Sequence, residues 1–364
     1  MEKILVINPG STSTKIAMYD GGRQLWMESI EHPLEEMRKY DRVYDQLDMR
    51  HDLVVATAAA KGDDLSGLAA VVSRGGPFAS VRSGAYEVNE EMLEVMRERP
   101  IDQHASNIGM AIAKKIADRF GLKAYIYDAV TVDEMIPVTR IVGLKEMDRH
   151  GQGHNLNMRA AAINLCLKKG WDYYRKNIIV AHLGGGITLS LHSRGRIVDM
   201  ISDDEGPFAP ERGGGLPGFQ LIKACFNGRF DEKGMFKHIQ RSGGLISLLG
   251  TPDARKVEKM IADGDDYAAL VYEAMALNVA KNIAKLTVVV EGRVDCIVLT
   301  GGIAYSEKFT GLIVPRVQFL APTEILPGEN EMDALAQGCL RVLKGEEKPH
   351  IFAENSPVEG DGTI

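Results

Sequence analysis

Two stretches of the chain carry one pattern of apolar and polar positions. "ILVINPGSTSTKIAMYDGGRQL" begins at Ile4 and "IIVAHLGGGITLSLHSRGRIV" at Ile178. Each runs as four apolar residues, a polar break, a turn of small residues, a second β-rich run, then Gly and Arg. Ile4 aligns with Ile178, Asn8 with His182 and Gly10 with Gly184, and after a one-residue slip Arg23 aligns with Arg196. Short apolar runs closed by turn residues read as buried strands. The pattern therefore predicts a duplicated β-hairpin whose two turns grip something between them.

Strand signals fall at Ile4 to Ile7, Ser13 to Tyr19, Ala69 to Ser73, Ala124 to Tyr127, Ile178 to His182, Thr188 to His192 and Cys296 to Thr300. Between them lie helical spacings: Ser106 to Phe120 closed by Gly121, Asn155 to Lys169 closed by Gly170, and a helix opened by Thr251 and Pro252 that ends near Asp263. A longer helix, about Asp266 to Val290, carries Leu270, Ala274, Leu277 and Lys281 at helical spacing, and a last one runs near Glu331 to Lys344. Alternating strands and helices indicate an α/β class. The repeat period puts a domain boundary in the loop after Arg140. Residues 1–145 are expected to form one domain and residues 146–330 a second. The C-terminal segment 331–364, helical at its start, is expected to cross back and complete the first.

Composition narrows the field. At 364 residues and 45% apolar, the chain is long enough for two cores, since single cores rarely grow past about 250 to 300 residues. A net charge of -7 without a basic patch makes nucleic acid an unexpected partner. No apolar run approaches the roughly 18 residues of a membrane helix, and the N-terminal run is broken by Asn8 and Pro9, too early for a signal peptide. A cytoplasmic enzyme is expected. Cys166, Cys225, Cys296 and Cys339 have no metal-ligand or redox spacing and read as small core hydrophobes.

The turns carry candidate chemistry. A strand ending in Gly, Ser and Thr presents backbone N–H groups and short hydroxyls to an anion without bulky side chains in the way. Asn8, Gly10, Ser11, Thr12 and Ser13 fit this description, as do Gly184, Gly185 and Gly186, and a third strand ends in Gly301 and Gly302. Three such ends suit a nucleotide, two for phosphates and one for base and ribose. The P-loop pattern is absent, because "GSTSTK" has the wrong spacing. "GGGLPG", Gly213 to Gly218, matches G-x-G-x-x-G but follows no strand and contains Pro217, which argues against a dinucleotide fold. His150 and His154 in "HGQGH" have the spacing of a zinc helix, yet Gly151 and Gly153 oppose a helix there, and no Glu follows the first His.

"ILVINPGSTSTK", "SRGG", "QHASNIG", "YDAVTVDE", "RHGQGH", "AHLGGG", "VDM", "PERGGG", "TGGIA" and "GENE" occur in the order and spacing of the acetate and butyrate kinase family, which the chain resembles over about residues 3 to 340. The resemblance implies two duplicated actin-like (ribonuclease H-like) domains flanking a nucleotide cleft. It also implies Mg²⁺-dependent, reversible transfer of the γ-phosphate between ATP and a short-chain carboxylic acid, giving an acyl phosphate and ADP, in a homodimer or higher homo-oligomer. A sugar or polyol kinase with Asp128 as base is an alternative that explains neither arginine of the motifs. A non-enzymatic ATP switch is another, but the chain shows no long partner-binding insertion.

The resemblance also assigns roles. Arg74 and Arg212 match the family's two active-site arginines, and His150 the histidine that donates to the transferring phosphoryl group. Asp128 would orient an arginine or the magnesium shell, Asn8 would face the γ-phosphate or a metal-bound water, and Glu331 would hold magnesium through water, with Glu329 two positions away as the other choice. His182 heads the second turn, as a phosphate contact or a plain strand end. His104 matches a phosphate-side histidine or an ordinary helix start. Gly75 and Gly76, where acetate kinases read "RVVHGG", and Arg149, where they place Phe, are expected to enlarge the acyl pocket. Each buried CH₂ contributes about 0.8 kcal/mol, so two more on butyrate give roughly 1.6 kcal/mol, or more than about tenfold in affinity.

Overall fold

A computed structural model of the chain describes residues 2–354. The chain forms two compact units, one from residues 2–133 together with residues 330–354, the other from residues 134–329.

The first unit holds β1 (Lys3–Pro9), β2 (Ser13–Asp20), β3 (Arg23–Glu31), β4 (Leu68–Arg74), β5 (Ala85–Glu87), β6 (Ala124–Tyr127) and, from the far end of the chain, a short strand at His350–Ile351. The second holds β7 (Asn177–Leu183), β8 (Ile187–Ser193), β9 (Arg196–Ile201), β10 (Cys296–Gly301) and β11 (Thr323–Pro327). With His350–Ile351 as β12, the sheets run β12-β5-β6-β4-β1-β2-β3 and β11-β10-β7-β8-β9. The repeat written in the sequence is thus a repeat of topology. In each unit a three-strand antiparallel meander is followed by a strand that pairs parallel to its first member. The one-residue slip lies in the turn: Pro9 faces Thr14 across four residues, whereas Leu183 faces Ile187 across three. Even the bulge recurs, between Met18 and Tyr19 in one copy and between Leu191 and His192 in the other.

The predicted strands and helices are present, with informative differences. The third strands of the meanders, β3 and β9, carry no strong sequence signal, and β3 alternates exposed and half-buried residues along an outer edge. The helix Asp266–Thr287 is capped by Asp265, whose carboxylate accepts from the Ala268 amide at 2.9 Å. It buries Val271, Tyr272, Met275, Ala276, Val279 and Ile283 in the core of its unit. The stripe Leu270, Leu277 and Lys281 faces outward instead, as its lysine should have signalled. The helix near Thr251 starts at Ala254 with Asp253, not Thr251, as its cap. Cys166, Cys296 and Cys339 are buried, and burial pushes the thiols of Cys296 and Cys339 up to about 11 and about 12. Cys225 is exposed, because its helix Gly218–Cys225 buries none of its residues.

The helix at Glu331 ends at Leu343, packing Met332, Leu335, Ala336, Cys339 and Leu340 into the first unit. The chain beyond it is held by Glu347, which accepts from the Tyr127 hydroxyl at 2.6 Å, before β12 pairs with β5. The remainder of the segment expected at 331–364, from residue 355 on, lies outside the described residues. No described helix is long and apolar enough to cross a membrane.

Candidate active site

In the first unit, β1 and β4 run parallel with Ile7 opposite Ser73, so Asn8 and Arg74 project from neighbouring carboxyl ends. In α/β sheets that edge is where ligands bind. Glu331, the first residue of its helix, joins them: it accepts from Asn8 Nδ2 at 2.6 Å and forms an ion pair with the Arg74 guanidinium at 2.8 Å. One carboxylate therefore fixes both predicted site residues. Arg74 Nε is buried without a hydrogen-bond partner, so the guanidinium keeps donor capacity in reserve. Beside them the turn Gly10–Ser13 is closed by a 2.7 Å bond from the Gly10 amide to the Ser13 carbonyl, with Ser11 and Thr12 exposed.

Asp128 is buried at the end of β6 in the left-handed region, φ 42°, where its carboxylate accepts from the Gly84 amide at 2.7 Å. His104 is exposed and caps the short turn Ala105–Asn107, with Nδ1 2.7 Å from Ser106 Oγ and 3.2 Å from the Ser106 amide. This geometry fits the helix-start reading of His104 and leaves its phosphate-side reading untested.

Gly75 and Gly76 correct the sequence reading. A Cβ on Gly76 would lie 2.1 Å from Asn107 Oδ1, and one on Gly75 would lie 2.6 Å from the Ala129 Cβ. The absent side chains leave no room; Asn107 and Ala129 occupy the space, and the glycines serve close packing.

In the second unit, His182 is fully buried one residue before the end of β7, and the turn Gly184–Gly186 follows. Its ring stacks on that of His154, with centroids 4.1 Å apart and planes 16° from parallel, and His154 Nδ1 lies 2.9 Å from Thr188 Oγ1. Nε2 of His182 stands 3.1 Å from Glu329 Oε1 but outside hydrogen-bonding alignment, so both ring nitrogens are buried without a hydrogen bond. Arg212 lies next to the turn, its Cγ 3.8 Å from where a Cβ on Gly186 would be. It is aimed by Asp203 at 2.9 Å and by the Gln240 carbonyl. The Glu211 amide donates to the Gly185 carbonyl at 3.1 Å. At the third strand end, Gly301 has φ 91° and its Cβ would collide with the Leu183 carbonyl, while Gly302 faces open space. Only a glycine allows β10 to end so close to β7.

Two residues of "RHGQGH" sit differently from expectation. His150 is exposed, with Nε2 3.0 Å from Asp148, while His154 is the histidine at the second turn. Arg149 neither widens a pocket nor points outward. It is three-quarters or more buried, pairs with Glu205 at 2.8 Å and Asp199 at 3.1 Å, and donates to the Thr139 and Met200 carbonyls. Burial would lower its pKa, but the two carboxylates raise it above the usual arginine range. Burial pushes Asp199 up to about 6, with Arg149 pulling the other way. The cluster braces the loop that carries His150.

Sequence reasoning missed His154, Asp203 and Glu211. In the sequence His154 stands out only through its zinc-like spacing from His150, and among the described residues no cluster of three or more His, Cys, Asp or Glu side chains is placed to hold a metal. The oxygen donors of Asn8 and Glu331 do suit a hard cation that keeps most of its waters, the habit of magnesium beside nucleotide phosphates.

Relatives give the arrangement its context. Residues 135–321 match the sequence profile of the acetokinase family. The chain is 42% identical over 348 residues to butyrate kinase 2 of Clostridium acetobutylicum, covering 95% of this chain and 98% of the relative. Among solved structures, acetate kinase of Porphyromonas gingivalis superposes with a TM-score of 0.79 at 18% identity, over 94% of this chain and 100% of that one. A propionate kinase of Francisella tularensis superposes at 0.74 and 18%, over 93% and 99%. The fold is therefore that of these carboxylate kinases, the actin-like ATPase fold. With a relative this similar along nearly its whole length, the chain belongs to the acetokinase family.

Proposed function

We propose that this protein transfers the γ-phosphate of ATP reversibly to the carboxylate of a short-chain fatty acid, with butyrate as the preferred acceptor. The observation that carries the reading is the 42% identity to a butyrate kinase along 95% of the chain. The phosphotransferase class follows from the family. The choice of butyrate rests on the relative alone, because Asn107 and Ala129 fill the space at Gly76 and Gly75.

The chemistry asks for charge neutralisation and alignment. A carboxylic acid with a pKa of about 4 is ionised at pH 7, so no general base is needed, and its negative charge is the obstacle. Arg74 and Arg212 screen the acceptor from the phosphoryl oxygens. Each guanidinium is oriented by a carboxylate, Glu331 or Asp203, which leaves its remaining N–H groups for substrate. His150 donates to the transferring group in this scheme, and Asp128 would orient an arginine or the magnesium shell. Asn8 and the turns Gly10–Ser13 and Gly184–Gly186 take the phosphates, His182 contacts them from the end of β7, and Gly301 and Gly302 border the nucleoside. Asn8 and Glu331 would hold magnesium through water; when bound, it supplies neutralising charge on the phosphate oxygens. A cytoplasmic location and a homodimer or larger assembly belong to the same reading.

Incubation with ATP, magnesium, hydroxylamine and each of acetate, propionate, butyrate, isobutyrate and glycerol tests it. Acyl hydroxamate should form with the acids, fastest with butyrate. Hydroxamate fastest with isobutyrate or acetate would move the acceptor. ADP release with glycerol alone, or none dependent on an acceptor, would overturn the reading.

A further inference from the structure

The helix Leu47–Ala60 buries Arg50, Val54 and Ala58, one stripe at four-residue spacing with a cation in it. Arg50 is 1% exposed, and among the described residues no carboxylate pairs with it. Its guanidinium is spent on the first hairpin turn. One terminal nitrogen donates to the Gly10 carbonyl at 2.8 Å, to Thr14 Oγ1 at 3.0 Å and to the Ser13 carbonyl at 3.3 Å; the other reaches the Ser11 carbonyl at 3.5 Å. Gln46 Oε1 steadies the fork from behind, at 3.1 and 2.9 Å. His32 completes the nest. Its amide donates to the Thr12 carbonyl at 2.7 Å and its Nε2 lies 2.8 Å from Thr14 Oγ1. Burial, with Arg50 adding to it, lowers the His32 pKa to about 4, so its ring is neutral at pH 7. Burial also lowers Arg50, to about 10, which leaves it charged at pH 7.

Burying an arginine without an anion is costly. Here neutral acceptors, backbone carbonyls together with the Thr14 hydroxyl and the Gln46 amide oxygen, offset the cost, and all four carbonyls of the turn, from Gly10 to Ser13, are engaged from the Arg50 and His32 side. The amides of Ser11 and Thr12 have no partner among the described residues and both residues are exposed. A turn with its carbonyls tethered and its amides unspent has free donors to offer an anion.

The geometry points to Arg50 as a positioning residue for phosphate binding: it holds the carbonyls of the Gly10–Ser13 turn, so that the Ser11 and Thr12 amides stay directed at the nucleotide phosphates, and it places a positive charge behind them. This rests on the proposal that the first turn binds phosphate.

The test compares two ligands of the same protein by calorimetry, AMPPNP with magnesium and adenosine, which lacks phosphates. Arg50→Met should weaken AMPPNP at least about tenfold and leave adenosine within about twofold, and Arg50→Lys, which keeps the charge without the fork, should fall between. Equal losses for both ligands, or unchanged AMPPNP affinity, would overturn the role of Arg50. Should Arg50→Met fail to fold, Gln46→Met keeps the cation and removes its rear anchor; it should weaken AMPPNP about threefold with adenosine unaffected, and no change would overturn the proposal. Wild-type protein that binds adenosine but gains nothing from the phosphates would instead overturn the phosphate reading of the turn itself.

Discussion

The two hairpins share strand order, register and bulge, yet their turns are supported by opposite chemistry. Behind Gly10–Ser13 sits a buried guanidinium, charged at pH 7, bonded to backbone carbonyls. At Gly184–Gly186 two stacked imidazoles take that place, with Glu329 beside one of them. Asn8 and His182 occupy equivalent strand ends, and one meets Glu331 and the other Glu329. Duplication preserved the backbone frame, because sheet register is hard to alter piecemeal: a one-residue shift turns every side chain to the other face. The side chains packed against each turn were free to diverge. The two halves are therefore equal as scaffolds and unequal as chemistry.

The largest effects are expected at the arginines. Arg74→Ala in one unit and Arg212→Ala in the other should each lower kcat by about 10³-fold, the scale of losing a charge that stabilises phosphoryl transfer. Melting temperatures should change little. Near-normal turnover in both would remove the arginines from the reaction. Next comes the brace specific to the second unit: Arg149→Leu leaves Asp199 buried without its cation and should cost about 3 kcal/mol of stability in urea unfolding. A cost near zero would show that the cluster does not hold its loop.

The two histidines of "HGQGH" give a smaller, sharper test. His150→Ala should lower kcat about 100-fold with little change in KM for ATP, as expected for loss of one transition-state donor. His154→Ala should chiefly raise KM for ATP, because that ring packs on His182 at the second turn. The reverse split would make His154 the donor.

The smallest effect concerns pH. His192, on β8, is buried between Tyr173 and Ser190, and burial lowers its pKa to about 3. Its folded value lies below the unfolded value of about 6.5, so the unfolded chain takes up a proton that the folded chain refuses. The stability it supports is complete above about pH 6.5 and lost as pH falls, by about 1.4 kcal/mol per pH unit. His192→Gln should make unfolding free energy flatter by that amount between pH 6 and 5. An unchanged slope would mean that His192 is protonated in the fold. His32 behind the first hairpin carries the same sign, so this sensitivity is one property the two halves share.

How much of this the sequence shows depends on whether a residue's partner lies nearby in the chain. The repeat and the strand ends Asn8 and His182 are legible because apolar runs and glycine turns are local signals, whereas Arg74 and Arg212 stand out only through the family resemblance. Arg50 is not legible. Its helix buries a stripe that begins with a cation, so the apolar periodicity that reveals a buried face is missing. Arg149 misled for a related reason: nothing near it announces Asp199 and Glu205, 50 or more positions on. Gly76 misled because a missing side chain reads as space, and only the structure shows Asn107 filling it. Leu270 and Leu277 had the right period on the wrong face, since period alone gives no direction.

Everything proposed for the two units converges on phosphoryl transfer from ATP to a carboxylate. Phosphorus NMR of the protein with ATP, magnesium and butyrate tests it directly. The γ-phosphate signal should convert to acyl phosphate in step with ADP, and omitting butyrate should stop both. Inorganic phosphate as the only product, formed at the same rate without the acid, would contradict it.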